Sequence, residues 1–419
     1  MFKYHEATKH SFESIRNSPN YLDWNRQPSA LKIYKQFENI IQLDGKSDLH
    51  NFLYRLGGIT DKKTYPSNEY YLRTIPSAGA LFPVEIYFQA REVEGFKDGI
   101  YHFDVANSSV KLLYELNGDG IESAFEDNRA IKGLIVLYST IYYRSSWKYK
   151  DRGFRYCLLD CGHALGAMEA SSYLYDHACV IRYRFDKMQL NEVFGFGEQE
   201  FFLSCGILGI PKNERIETFN MQLKDINPKY ERNEMIEKAY QDSLELSSCK
   251  SKYTFSEFSF HKEIFEETIF KRRSTREFTT STITKASYEA ILEIVQKPVM
   301  SDCDEEVHLY CIVNSVEGVE RGLYLDGKCL KEGDFRQGAG YLCLEQALGR
   351  QSAVTFFLTT SSKNYQCAYQ KAGIIGHRLY LASEYLKIGC SGIGAYYDDE
   401  TKAFLQSDDM ILYGVTIGT

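Results

Sequence analysis

A chain of 419 residues with 44% hydrophobic and 25% charged residues, 8 prolines and 30 glycines has the composition of a folded protein, and its length suits two domains better than one. Its 49 basic residues against 57 acidic ones give a net charge of -8, so no positive excess is available for a polyphosphate backbone and nucleic acid is not an expected partner. No run approaches the roughly 18 apolar residues of a membrane span, and Met1-Phe2-Lys3-Tyr4-His5-Glu6 lacks the apolar stretch of a secretion signal, so the expectation is a cytoplasmic protein with no membrane partner.

Residues 1–44 read as an N-terminal extension, followed by a first domain over 45–215. That domain opens with Arg73-Thr74-Ile75-Pro76-Ser77-Ala78-Gly79-Ala80-Leu81-Phe82-Pro83, a stiff turn of small residues able to lie against a planar ring. Two short strands around Val84–Tyr87 and Gly99–Tyr101, with glycine between them, predict a hairpin. Leu134–Tyr142 predicts an apolar strand, after which Tyr142, Tyr143 and Trp147 suit either the core or a pocket wall. The charged stretch that follows contains Lys148 and Tyr149, which in the bland reading are solvated groups at a strand exit. Leu158, Cys161, Leu165, Met168 and Ser172 repeat at three and four, the spacing of a helix, within which His163 reads as a hydrogen-bonded core histidine.

From Lys212 to Phe260 the chain is polar and weakly periodic, with Asn227-Pro228 and Ser247-Ser248, which predicts a helical linker over 216–261. The second domain, 262–419, begins with Lys271-Arg272-Arg273-Ser274-Thr275-Arg276. In an extended segment Arg272, Ser274 and Arg276 point the same way, as an anion cradle would require, while a solvated basic run is the plainer alternative. Ala353–Thr359 predicts a strand, and Ile374, His377, Leu381, Tyr385 and Ile388 predict a second long helix. Gly392, Ile393 and Gly394 follow it, in a glycine loop that could approach a flat ligand or simply end the helix. Eleven cysteines without a Cys-x-x-Cys pair, among them Cys157, Cys311, Cys329 and Cys343 in apolar stretches, read as reduced core thiols. The nine scattered histidines offer no metal spacing, so no metal is expected.

The two domains repeat one another. Val93–Tyr101 returns as Val316–Tyr324 at an offset of 223, Val84–Tyr87 returns as Val307–Tyr310 at the same offset, and Ala170–Leu174 returns as Ala382–Leu386 at 212. Each copy lacks what the other keeps: Gly392 and Gly394 fall on Val180 and Arg182, while Pro76, Ser77 and Gly79 fall on Val299, Met300 and Asp302. The predicted class is α+β, as a duplicated sandwich.

In order, the motifs Tyr4-His5-Glu6-Ala7-Thr8-Lys9, Pro76 to Pro83, Gly99 to Asp104, Trp147 to Tyr156, Asp160-Cys161-Gly162-His163, Arg272 to Arg276 and Gly392 to Asp398 cover most of the chain. This set resembles the FMN-dependent nitroreductase superfamily, and most closely its SagB/ThcOx-type dehydrogenases, which oxidise azolines in modified peptides. The resemblance implies two tandem nitroreductase-like α/β sandwich domains, each a mixed sheet flanked by helices, forming an intramolecular pseudo-dimer around FMN. It assigns the FMN phosphate and ribityl chain to Arg272, Arg273, Ser274 and Arg276. The isoalloxazine falls to Pro76, Ser77, Ala78 and Gly79 on one side and to Gly392, Ile393 and Gly394 on the other. Lys148 and Tyr149 become the proton-accepting pair. One departure is that Gly414–Thr419 carries no basic residue where the family often places one on the phosphate. The expected substrate is a modified peptide or a small molecule, with NAD(P)H as a possible donor. A nitro or quinone reductase and a flavin-free scaffold are the alternative functions.

Overall fold

A computed structural model of the chain describes residues 1–18, 22–64, 69–219, 221–223, 230–247, 249–253 and 258–419. It forms two compact units, one comprising Asp23–Glu257 with Pro298–Asp304, the other Met1–Leu22, Phe258–Lys297 and Glu305–Thr419.

The first unit is built on strands β1 (Ile40–Gln42), β2 (Ile59–Thr64), β3 (Glu69–Arg73), β4 (Val84–Arg91), β5 (Gly99–Asp104), β6 (Ser109–Glu115), β7 (Arg129–Ile141), β8 (Val180–Arg182) and β9 (Glu200–Arg215). Seven of them form one sheet in the order β1-β6-β5-β4-β7-β9-β8, while β2 and β3 pair separately. Both faces of β4 are buried, Val84, Ile86, Phe88 and Ala90 lying on one and Glu85, Tyr87, Gln89 and Arg91 alternating onto the other. The helix Gly153–Leu174 is buried almost all round, as a core helix should be. Tyr34, Tyr87, Leu137, Phe194, Phe202 and Phe219 belong to a single buried cluster.

In the second unit β10 (His308–Val313), β11 (Gly322–Leu325), β12 (Lys328–Glu332), β13 (Val354–Thr360), β14 (Gly389–Ile393) and β15 (Met410–Gly418) form a sheet in the order β12-β11-β10-β13-β15-β14. The buried helix Tyr365–Tyr385 is the counterpart of Gly153–Leu174. Strand for strand this is the order β6-β5-β4-β7-β9-β8, so the repeat read from three short sequence matches extends to a whole sheet and its central helix. The α+β class stands, although every named ladder is antiparallel where a mixed sheet was expected. The helix Phe2–Ala7 belongs to the second unit, where the His5 ring and Tyr365 Oη lie 3.3 Å apart and Asp398 accepts the His10 amide at 2.8 Å.

The helical expectation for 216–261 is met at Glu234–Asp242, which Asn233 caps by accepting the Ile236 amide. Asn227, Pro228 and Ser248 lie outside the described residues. The cysteine reading needs correction. Cys157, Cys311 and Cys343 are buried thiols, but Cys329 is exposed on β12 and Cys249 is joined to Cys303 by a disulfide. Among the described residues no helix is long and apolar enough to cross a membrane.

Candidate functional site

Two clusters contain the candidate residues, one in each unit. In the first unit Pro76, Ser77, Ala78 and Gly79 leave β3 and lead into β4. The Ser77 hydroxyl donates to Asp160 Oδ2 at 2.5 Å and accepts the Phe82 amide at 2.9 Å, while the Ala78 amide donates to Asp160 Oδ1 at 3.3 Å. One carboxylate on the central helix therefore shapes the turn. Gly79 has φ +67°, which a residue with a side chain adopts only at a cost. A Cβ there would also stand 2.8 Å from Tyr149 Oη and 3.2 Å from Lys148 Nζ. Both members of the expected proton-accepting pair thus reach the exposed edge of the turn.

Lys148 and Tyr149 end the helix Tyr143–Tyr149, with Lys148 exposed. The ammonium lies 5.4 Å from the Tyr149 ring centroid, and that ring packs on Tyr156 at 4.2 Å. Arg144, on the same short helix, is buried and donates to Glu85 Oε1 at 2.6 Å and to the Phe82 carbonyl at 2.8 Å. Arg152, Arg155 and His163 are buried as well. The choice for Tyr142, Tyr143 and Trp147 resolves toward the core: Tyr142 donates to Glu237 at 2.8 Å, Tyr143 to the Arg26 carbonyl at 3.4 Å and Trp147 to the Asp23 carbonyl at 3.1 Å.

In the second unit the segment after the helix Lys262–Lys271 runs extended beside β14, where the Thr275 amide donates to the Cys390 carbonyl at 2.9 Å. Alternation then turns Arg272 and Ser274 toward the same partner, Tyr380 of the long helix. Ser274 Oγ lies 2.9 Å from Tyr380 Oη, the Gly392 amide donates to that oxygen at 2.7 Å, and the Arg272 guanidinium lies 5.3 Å from the ring centroid. Tyr380 thereby joins the basic segment to the glycine strand. Arg272, which a solvated basic run would leave in water, is buried, and burial lowers its pKa; Arg276 is exposed. Arg273 donates to the Phe270 and Arg272 carbonyls at 2.9 and 2.8 Å. Gly392 and Ile393 lie within β14 and Gly394 just after it. None of the three glycines from Gly389 to Gly394 has a positive φ, so their role is close approach: a Cβ on Gly389 would stand 2.6 Å from Thr275 Oγ1, and one on Gly392 would collide with the Tyr413 hydroxyl.

Two guanidinium groups and a hydroxyl within five residues match the donor set that a phosphate monoester takes, and bare strand backbone beside them suits a flat ring, so these residues fit FMN. The corresponding edge of the first unit is different. There β8 pairs with residues 300–302: the Ile181 amide donates to the Met300 carbonyl at 2.9 Å and the Asp302 amide to the Ile181 carbonyl at 3.1 Å. The Asp302 carboxylate accepts the Tyr183 and Arg184 amides at 2.9 and 3.0 Å. Sequence reasoning missed the structural roles of Asp160 and Tyr380. Asp160 was visible as part of the Asp160-Cys161-Gly162-His163 motif but with no partner to give it a role, and Tyr380 as one tyrosine among 32.

Residues 269–419 match the model of the nitroreductase family. Over 119 residues the chain is 33% identical to a protein of Methanocaldococcus jannaschii described as a nitroreductase, MJ1384, the match covering 28% of this chain and 57% of that one. Over 112 residues it is 28% identical to the trifolitoxin-processing protein TfxB of Rhizobium leguminosarum bv. trifolii, covering 24% and 29% of the two chains. The chain thus spans less than two thirds of the length of either curated relative. Among solved structures, a protein of Anabaena variabilis described as a nitroreductase superposes over 100% of this chain and 98% of its own, with a TM-score of 0.84 and 25% identity.

Proposed function

We infer that this chain, which belongs to the nitroreductase superfamily, is an FMN-dependent oxidoreductase, and that its reaction is the dehydrogenation of an azoline or a similar C–N or C–S ring in a modified peptide or small molecule. The observation that carries the reading is the meeting of Lys148 Nζ and Tyr149 Oη at Gly79, on the exposed edge of a turn braced by Asp160. Bound FMN supplies a two-electron acceptor.

In this reading Arg272, Ser274 and Arg276, with Arg273 behind them, hold the phosphate and ribityl chain of FMN through charge-assisted hydrogen bonds. Gly392, Ile393 and Gly394 offer it bare backbone, and Pro76, Ser77, Ala78 and Gly79 meet an isoalloxazine. A ring that loses two hydrogens also releases a proton, and a side chain positioned at the turn must take it. Lys148 and Tyr149 stand there, with Tyr149 fixed by its packing on Tyr156. The likeness to a protein named for processing trifolitoxin supports the peptide arm of the proposal.

The test combines a visible spectrum of the purified protein with two assays, one offering azoline peptides and the other NAD(P)H with nitroaromatics or quinones. Yellow protein that dehydrogenates the azoline and loses that activity in Lys148→Ala and Tyr149→Phe is the expected result. Turnover of the nitroaromatic alone makes the chain a reductase. Protein that stays colourless with added FMN makes it a flavin-free scaffold and overturns the reading.

A further inference from the structure

We propose that Asp160 is a positioning residue for the Pro76–Gly79 turn, and that the proton it holds or releases decides whether Ser77 offers its hydroxyl hydrogen outward to a ring on that turn or directs it into the protein. The proposal rests on the reading above, in which that turn meets a flavin ring.

A serine hydroxyl has one hydrogen and two acceptor positions. At Ser77 the Phe82 amide occupies one acceptor position, at 2.9 Å. Asp160 Oδ2, at 2.5 Å, fixes what is left. An ionised Asp160 takes the Ser77 hydrogen and leaves the hydroxyl nothing to donate. A neutral Asp160 donates its own hydrogen to the second acceptor position of Ser77, and the serine hydrogen turns away from the carboxyl. The Ala78 amide donates to Oδ1 in both states, at 3.3 Å, so the turn keeps its shape while the polarity of one group reverses.

The surroundings bring this exchange into the working range. Asp160 is fully enclosed, and its burial pushes the carboxyl up to about 7, against the downward pull of the Ser77 and Ala78 hydrogen bonds and of the Arg73 charge. Arg73 is itself buried, donates to the Gly57 carbonyl at 2.6 Å and lies over the Phe82 ring. On Asp160's own helix, burial pushes the Cys157 and Cys161 thiols up to about 12 and keeps them neutral. Across from that helix, Tyr138 of β7 is raised well above its ordinary value by burial. Beyond the turn stand Lys148 and Tyr149, at Gly79.

The experiment has two arms. The first uses protein without added FMN: the infrared carbonyl band of a protonated carboxyl is followed from pH 5 to 9, and the Asp160→Asn spectrum is subtracted to isolate Asp160. A loss of the band centred near 7 is expected. In Ser77→Ala that midpoint moves upward, since the hydroxyl no longer favours the carboxylate. No band lost with the substitution, or a midpoint unmoved in Ser77→Ala, overturns the proton exchange whatever FMN does.

The second arm titrates FMN by fluorescence at pH 6 and 8.5. Relative to Asp160→Asn, whose amide can donate to Ser77 at every pH, wild-type affinity should fall about tenfold between the two values, the loss of one good hydrogen bond. Ser77→Ala should bind weakly at both. Wild type and Asp160→Asn with the same pH profile would overturn the proposed role at the ring. If no variant binds FMN at any pH, the functional reading fails, and the infrared arm still decides whether Asp160 and Ser77 exchange a hydrogen.

Discussion

Replacing Tyr380 with phenylalanine isolates the hydroxyl that joins the basic segment to the glycine strand. The ring stays, and with it the Arg272 contact at 5.3 Å. What goes is the hydrogen bond to Ser274 Oγ at 2.9 Å and the acceptor for the Gly392 amide at 2.7 Å. Each bond contributes about 1 kcal/mol net, and a part-buried amide left without its acceptor costs about 1–3 kcal/mol more, so the variant should lose about 3–5 kcal/mol. Ser274 can turn to another partner; the Gly392 amide is held in β14 and cannot follow. Urea unfolding monitored by fluorescence measures the loss, and FMN titration of the same variant should show affinity down at least about tenfold, because the two arms of the cradle are no longer tied. Tyr380→Leu should cost about 1–2 kcal/mol beyond that, through the lost cation–π contact and packing. Stability within about 0.5 kcal/mol of wild type together with unchanged FMN affinity in Tyr380→Phe would refute this account of the cradle.

Lys32→Met removes one partner of a buried ion pair and leaves Glu200, which also accepts from Tyr87 at 3.1 Å and Ser139 at 2.6 Å, without its cation; a loss of about 3–5 kcal/mol by urea unfolding is expected, and a neutral effect counts against the pairing. Burial raises the pKa of Glu85, but Arg144 and the His102 hydrogen bond pull it further down, from 4.5 to about 2. A depressed carboxyl contributes stability that is present above its unfolded pKa and lost as the pH falls through its folded one. Stability should therefore drop between pH about 4.5 and about 2, and Glu85→Gln should flatten that drop. Flavin released by heat should amount to about one FMN per chain, since β8 pairs with 300–302 where β14 has Arg272–Arg276; two per chain would contradict this. Arg276→Ala should strip FMN without affecting the urea midpoint because Arg276 is exposed, whereas Arg272→Ala should lower both.

Periodicity makes the repeat legible. Hairpins and long helices impose spacings of two and of three to four on apolar residues, so Val84–Tyr87 and Ala170–Leu174 can be matched with their counterparts by spacing and residue type alone. The turn and the basic segment are legible for a different reason: small residues between two prolines make a stiff turn, and in an extended segment Arg272 and Ser274 alternate onto one face. What could not be read were contacts made across the fold. Tyr380 lies more than a hundred residues from Ser274, and Asp160 lies 83 from Ser77. The burial of Arg272 was hidden because a charged residue in a basic run looks solvated until an aromatic ring is found covering it. The disulfide was hidden because its cysteines lie 54 residues apart, with no local spacing to mark them.

The edge strands of the two copies differ in the segment that joins them. In both sheets the last strand, β8 or β14, has a free edge that another segment of its own unit joins. At β14 the joining segment is 272–276, and pairing through Thr275 turns Arg272 and Ser274 toward Tyr380, leaving a cationic border. At β8 the joining segment is 300–302, held further by Lys252 on its other side and by the Cys249–Cys303 disulfide. There the Asp302 carboxylate accepts the Tyr183 and Arg184 amides just after the strand, placing an anion beside β8 where β14 has cations beside it. If the basic segment beside β14 holds a phosphate as proposed, a phosphate beside β8 would meet like charge and amides already occupied, so arginines alone would not equip that edge; Asp302 would also have to go.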